Sequence, residues 1–208
     1  MLITLISMMM LHVARADFSG TIVPDNALIA LTGVTYTFSL SFNEPIIDTD
    51  SKIVIRFPHE FEDAFTPTCD AISGFSSALV CSYNSSVRIL TISSGFPAPV
   101  ALSDPTEIIF TVSGVTNPRF AATTETFTIN SYVKDGSVYT TQETFDRNLP
   151  VTFTPGALSG ETLILSDQTV GAYSTLTVTM TTASAIPSDG QIKIEFPKWN
   201  NFDGVSSN

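Results

Sequence analysis

Residues 33–42 read GVTYTFSLSF. Tyr36, Phe38, Leu40 and Phe42 alternate with Thr37, Ser39 and Ser41, so apolar and hydroxyl side chains take turns. A period of two belongs to a strand, because successive side chains leave opposite faces. One face is then buried and the other wet. SKIVIRFPHEF, residues 51–61, obeys the same rule, with Ile53, Ile55 and Phe57 set against Lys52, Val54 and Arg56. Proline cannot donate to a ladder, so Pro58 ends that strand.

The pattern continues along the chain. Further strands are expected at residues 79–83, 87–92, 107–112, 126–133 and 138–144, with threonine and serine on their wet sides. Turn signals stand between them: Asn43-Glu44-Pro45, residues 48–51, residues 83–86, Asp104-Pro105 and Asn117-Pro118. Asp135-Gly136 predicts a type I′ hairpin, since both central residues of that turn need positive φ. No amphipathic helix is expected, only a short helical turn at residues 60–64. Short strands with turns at each end predict an all-β, immunoglobulin-like antiparallel β-sandwich. No Cys…Trp…Cys core is present, so an antibody-type domain is excluded.

The deciding stretch also returns. GAYSTLTVTM, residues 171–180, aligns with residues 33–42, pairing Phe38 with Leu176, Leu40 with Val178 and Phe42 with Met180. Asp50 to Pro58 aligns with Asp189 to Pro197, and Ser19-Gly20 with Ser159-Gly160. Three blocks in one order predict a tandem repeat. The first module is expected at residues 17–156 and a second, with only its N-terminal part present, at 157–208. A half sandwich leaves strand faces uncovered, so the chain reads as a fragment of a longer precursor.

The first sixteen residues differ from the rest. Leu2 to Val13 is almost wholly apolar yet too short to span a bilayer, and Ala14-Arg15-Ala16 is a small-x-small cleavage site. Residues 1–16 are therefore expected to be a signal peptide. The two cysteines, Cys69 and Cys81, lie either side of a loop; in an oxidising compartment they most simply form one disulfide, two buried thiols being the alternative. Asn84-Ser85-Ser86 is an N-glycosylation acceptor, which places Asn84 as a glycan site. These features predict an extracellular or cell-surface protein reached by the secretory pathway.

Charge narrows the partners. The chain carries 20 acidic against 9 basic residues in 208, a formal charge of −11. Such a chain repels phosphate backbones, so nucleic acid is not an expected partner. Hydrophobic residues make up 43%, too many for a disordered chain.

Chemical candidates are few. His59, Glu60, Glu62 and Asp63 cluster after the first Phe-Pro, a grouping suited to a general base or a metal site. The aligned places of the second copy read Lys198, Trp199, Asn201 and Phe202, so the cluster reads as a solvated loop and no catalytic residue is assigned. His12 falls in the signal peptide, leaving one histidine, too few for multi-histidine zinc. Asp48 and Asp50, with Glu44 nearby and Asp189 in the second copy, are the only candidates for calcium. Their spacing matches no EF-hand, and aspartate before serine or glycine is ordinary turn chemistry, so no metal or cofactor is assigned. No motif supports an isopeptide crosslink from Lys52 or Lys134. Phenylalanine dominates the aromatics, fifteen against five tyrosines and one tryptophan, which points to core rather than to a sugar-binding surface.

The repeat resembles the tandem modules of very large surface proteins of ciliates and related protists. The matching residues are Gly33, Tyr36, Phe38, Asp50, Ile53, Ile55, Phe57, Pro58 and Phe61, then Cys69 and Cys81. IIFTVSGVTNP at residues 108–118, TFTINSY at 126–132 and Asp135-Gly136 complete the pattern. The resemblance implies a long extracellular stalk or coat protein, with other copies of the module in cis and membrane attachment through a segment beyond residue 208. It carries over no catalytic or ligand residue. The expected function is an extracellular spacer or adhesive module. The rivals are a carbohydrate-binding adhesin module and a secreted hydrolase using the carboxylates of residues 60–63.

Overall fold

A computed structural model describes residues 19–42, 51–61, 64–96, 106–145, 148–186 and 188–196. Residues 1–16, expected to be a signal peptide, and Asn43-Glu44-Pro45, Asp104-Pro105 and Trp199 lie outside the described residues. The protein is all β, and two compact units divide between Ala157 and Leu158.

The first unit holds nine strands: β1 (Ser19–Pro24), β2 (Val34–Phe42), β3 (Lys52–Arg56), β4 (Thr68–Ser73), β5 (Cys81–Asn84), β6 (Ile89–Ile92), β7 (Thr106–Val115), β8 (Thr128–Asp135) and β9 (Val138–Phe145). They form two antiparallel sheets, ordered β1-β2-β7-β4 and β5-β6-β3-β8-β9. The first order matches the A-B-E-D sheet of an immunoglobulin fold, and β3-β8-β9 match C-F-G. The difference is the β5–β6 hairpin. It follows β4 in the chain but adds to the edge of the opposite sheet, against β3.

The period-two pattern explains the packing. Along β2, Val34, Tyr36, Phe38, Leu40 and Phe42 are buried while the residues between them are not. In β3, Ile53 and Ile55 are buried and Lys52, Val54 and Arg56 face outward. Rings from the two sheets meet between them. Phe38 stacks on Phe110 at 5.0 Å and stands edge-on to Phe127 at 6.2 Å and Phe57 at 6.5 Å. Phe57 also touches Phe61, Phe65, Tyr83 and Phe127, all within 5.6 Å between centroids. Gly114 shows why one glycine is fixed: its φ is +85°, and a Cβ there would lie 2.6 Å from the Thr66 carbonyl oxygen.

Residues 149–154 belong to this unit rather than to a linker. Val151 and Phe153 are buried, Thr124 N–H donates to Val151 O and Phe153 N–H to Ala122 O. Ile29 N–H donates to Thr154 O, tying the same segment to the loop after β1.

Several expectations change. β1 and β4 are strands the alternation does not announce. Both are edges of their sheet, and each buries a single residue, Ile22 or Cys69, so neither has a full apolar face. At the β8–β9 hairpin, Asp135 pairs with Val138, so Gly136-Ser137 occupy the centre. Gly136 has a φ of 62° at the first central position, which fits a type II′ turn instead of I′. The helical turn expected at residues 60–64 begins as a tight turn, with Phe61 N–H donating to Pro58 O at 3.2 Å. Glu62 and Asp63 lie outside the described residues.

The second unit contains an antiparallel pair, β10 (Ser159–Leu165) and β11 (Leu176–Thr181). Gly33 and Gly171, aligned by sequence, share a left-handed backbone, with φ of 76° and 79°. In β11, Leu176, Val178 and Met180 are half-covered and the threonines exposed, in the phase of β2. The first block does not keep its place. Ser19 sits opposite Ser41, but a bulge between Ser159 and Thr162 sets Thr162, not Ser159, opposite the aligned Thr179. Residues 190–196 are not in a sheet, contrary to their alternating pattern. In the first unit β6 and β8 flank the aligned strand β3. Among the described residues of the second unit no counterpart flanks Ile192, Ile194 and Phe196, and all three are exposed.

Candidate functional site

Cys69 in β4 and Cys81 in β5 are joined, with Cα atoms 6.1 Å apart. The bond links an edge strand of one sheet to the edge of the other where the chain crosses between them. Cys69 itself is buried among the core side chains. Replacing both cysteines by serine is expected to lower stability by about 3 kcal/mol through the entropy of the unlinked unfolded chain, read by denaturant unfolding with the slope fitted separately for each protein.

Asn84 ends β5 on the outer face and is exposed. Its Oδ1 accepts from the Ser86 hydroxyl at 2.7 Å and from Ser86 N–H at 3.2 Å. The acceptor triplet is thus held as a local turn, with the amide nitrogen turned from those contacts.

In the cluster after Phe57-Pro58, Glu60 departs from the solvated loop expected there. The Glu60 side chain is only 6% exposed. Its Oε1 accepts from the Glu125 backbone N–H at 2.8 Å. His59 remains exposed, with Nδ1 3.5 Å from Glu60 Oε2 and 3.2 Å from Glu125 Oε2. Sequence reading missed this because Glu125 lies in a distant segment before β8 that only the fold brings alongside. Glu60 acts as a clasp between two loops.

A buried polar network forms around Asn117, which the sequence shows only as a strand end. The Tyr36 hydroxyl donates to Asn117 Oδ1 at 2.6 Å. Asn117 Nδ2 donates to the carbonyls of Asn26 at 2.9 Å and Leu28 at 2.8 Å. Burial, and then the negative charge of Asp25, push the Tyr36 phenol far above its ordinary range. The second unit has a smaller exposed analogue: Thr169 holds the Asp167 carboxyl below its usual range, by its hydroxyl first and then its backbone N–H.

Glu44, Asp48 and Asp50 lie outside the described residues, and Asp189 sits on an exposed turn. Among the described residues no three His, Cys, Asp or Glu side chains converge to hold a metal.

The two outer faces of the first sandwich differ in chemistry. On β3-β8-β9, Lys52 Nζ lies 4.0 Å from the Tyr139 ring centroid and 5.0 Å from that of Tyr132. Arg56 is exposed two residues along the same side of β3. On β1-β2-β7-β4 the outward residues are mostly hydroxyls. A shallow groove of about 240 Å³ there is lined by Ser19, Gly20, Thr21, Ser39, Ser41 and Glu107.

No family model matches the chain, and no curated protein matches it either. Among solved structures it is similar to the C-terminal domain of the Streptococcus pyogenes antigen I/II-family protein AspA, at 14% identity and a TM-score of 0.29. The match covers 60% of this chain and 45% of that one, so the chain spans under half of that structure. At this TM-score the likeness assigns neither fold nor function.

Proposed function

We propose that the chain is a structural module of an extracellular coat or stalk, built from tandem immunoglobulin-like sandwiches and secreted through the pathway that forms its disulfide and glycosylates Asn84. The observation that carries this reading is the Cys69–Cys81 bond across the two sheets, since structural disulfides persist in oxidising compartments. The sandwich buries its own ring-rich core, which suits a part that must hold its shape. Glu60 is committed to a loop clasp, and no catalytic role is assigned to it or to His59. The second unit is read as the start of another module, supported by the shared conformation of Gly33 and Gly171 and the common phase of β2 and β11.

The alternative, a carbohydrate-binding adhesin module, is favoured by the exposed Tyr139 beside the half-buried Tyr132 and Lys52, because tyrosine rings can stack on sugar faces. A glycan array of the secreted chain separates the two. The structural reading expects no saturable binding; one glycan class bound saturably, and lost in a Tyr139→Ala variant, contradicts it.

A further inference from the structure

Among the described strand residues of the first sandwich, the outward cations lie on one sheet and the outward carboxylates on the other. In the five-stranded sheet, directly paired residues share a face, so Lys52–Tyr132, Val54–Asn130 and Arg56–Thr128 all point outward. Lys134–Tyr139 extends that row along β8 and β9. The carboxylate on β9, Glu143, pairs with the buried Ser131 and so lies on the inner side. The other sheet is the reverse. Ser41–Glu107 and Thr111–Asp70 are outward pairs, flanked mostly by serine and threonine, with Ile109 between Glu107 and Thr111 and the exposed Ile72 beyond Asp70. Among the described residues, neither Lys52 nor Arg56 has a carboxylate within ion-pair distance, and neither Asp70 nor Glu107 has a cation. In a chain with 9 basic against 20 acidic residues, gathering cations on one face is a separation the composition does not require.

We infer that these faces bind each other between copies: the Lys52–Arg56 face of one chain docks on the Asp70–Glu107 face of a second. The inference deepens the coat reading, on which it rests, by naming the lateral partner. The two faces of one chain are different surfaces, so the contact is head-to-tail and does not close on itself; it extends into a row. Strands lie about 4.8 Å apart and rise about 3.3 Å per residue, so each face measures roughly 20 Å by 20 Å. That is below the size of a standard stable interface, so a single contact is weak. Tandem modules would multiply it through effective concentration. The groove beside Glu107 offers a recess for a cationic side chain. Asn84 shares the cationic face, at its far edge on β5, so a sugar there leaves β3, β8 and β9 as the contact area.

Sedimentation velocity of the secreted chain over a concentration series tests this. At about 50 mM salt the chain is expected to associate with a dissociation constant of roughly 0.1–1 mM, weakening about fivefold or more at about 500 mM as screening sets in. K52E/R56E makes both faces acidic and D70K/E107K makes both cationic, so each variant alone is expected to be monomeric. Mixed in equal amounts, they are expected to associate again. All four positions are on the surface, and circular dichroism confirms that each variant is folded. A monomeric parent overturns the inference, as does a mixture that stays monomeric. Association in both single variants that resists salt also overturns it and assigns contact to the exposed apolar residues of the second unit. If heparin binds the parent but not K52E/R56E while the mixture stays monomeric, the face belongs to an acidic sugar. Mixing reads the contact and the glycan array reads a ligand, so the inference and the coat reading fail separately.

Discussion

Phe57→Ala is expected to lower the stability of the first sandwich by about 4 kcal/mol, near the top of the range for a buried phenylalanine. The side chain is 1% exposed and contacts five other rings: Phe38, Phe61, Phe65, Tyr83 and Phe127. Removing it loses the transfer energy of the ring, leaves a cavity between the sheets, and deletes edge-to-face contacts that add to area burial. The aligned Phe196 is 68% exposed, so Phe196→Ala is expected to change stability by less than about 0.5 kcal/mol. Urea unfolding of the two variants beside the parent checks both. Equal effects would mean that the two Phe-Pro stretches occupy similar surroundings, against the fold described above.

Asn117→Ala is expected to cost about 4 kcal/mol. Three partners lose their bond together: the buried Tyr36 hydroxyl and the carbonyls of Asn26 and Leu28. Each stranded polar group costs roughly 1–3 kcal/mol where water is excluded. Tyr36→Phe spares the two carbonyls and is expected to cost less, about 1–2 kcal/mol. The pair also has a signature in alkali. Burial, then Asp25, raise the native Tyr36 phenol above its ordinary range, whereas an unfolded tyrosine ionises near pH 10. Below about pH 10 both states keep the proton and the stabilisation is fully present. Above it the unfolded chain binds one proton fewer, so stability falls by about 1.4 kcal/mol per pH unit. Tyr36→Phe lacks this decline, and the slope difference between the two proteins above pH 10 reads it directly.

How much of this was visible in the sequence follows from local periodicity. β2 and β3 could be read because each buries every second residue against a partner sheet. β1 and β4 could not, because an edge strand with one buried residue has no period to detect. The disulfide was legible from a lone cysteine pair in a chain expected to be secreted. The order in which strands meet was not, since the β5–β6 hairpin changes sheets for reasons of three-dimensional space. The same limit hid Glu60 and Asn117. Each looks like a loop residue locally, and each gains its role from a partner 65 or 81 positions away. Residues 190–196 show the converse: an alternating pattern supplies a strand's side chains, but a ladder also needs a neighbour.

The claim of an extracellular, disulfide-stapled module is tested most directly by expressing the full chain in a eukaryotic secretory cell and mapping the product by peptide mass spectrometry without reduction. The account predicts chain in the medium beginning at Asp17, a Cys69–Cys81 linked peptide, and a glycan on Asn84. Chain retained in the cytosol with Met1 in place, free thiols at both cysteines and unmodified Asn84 would contradict it.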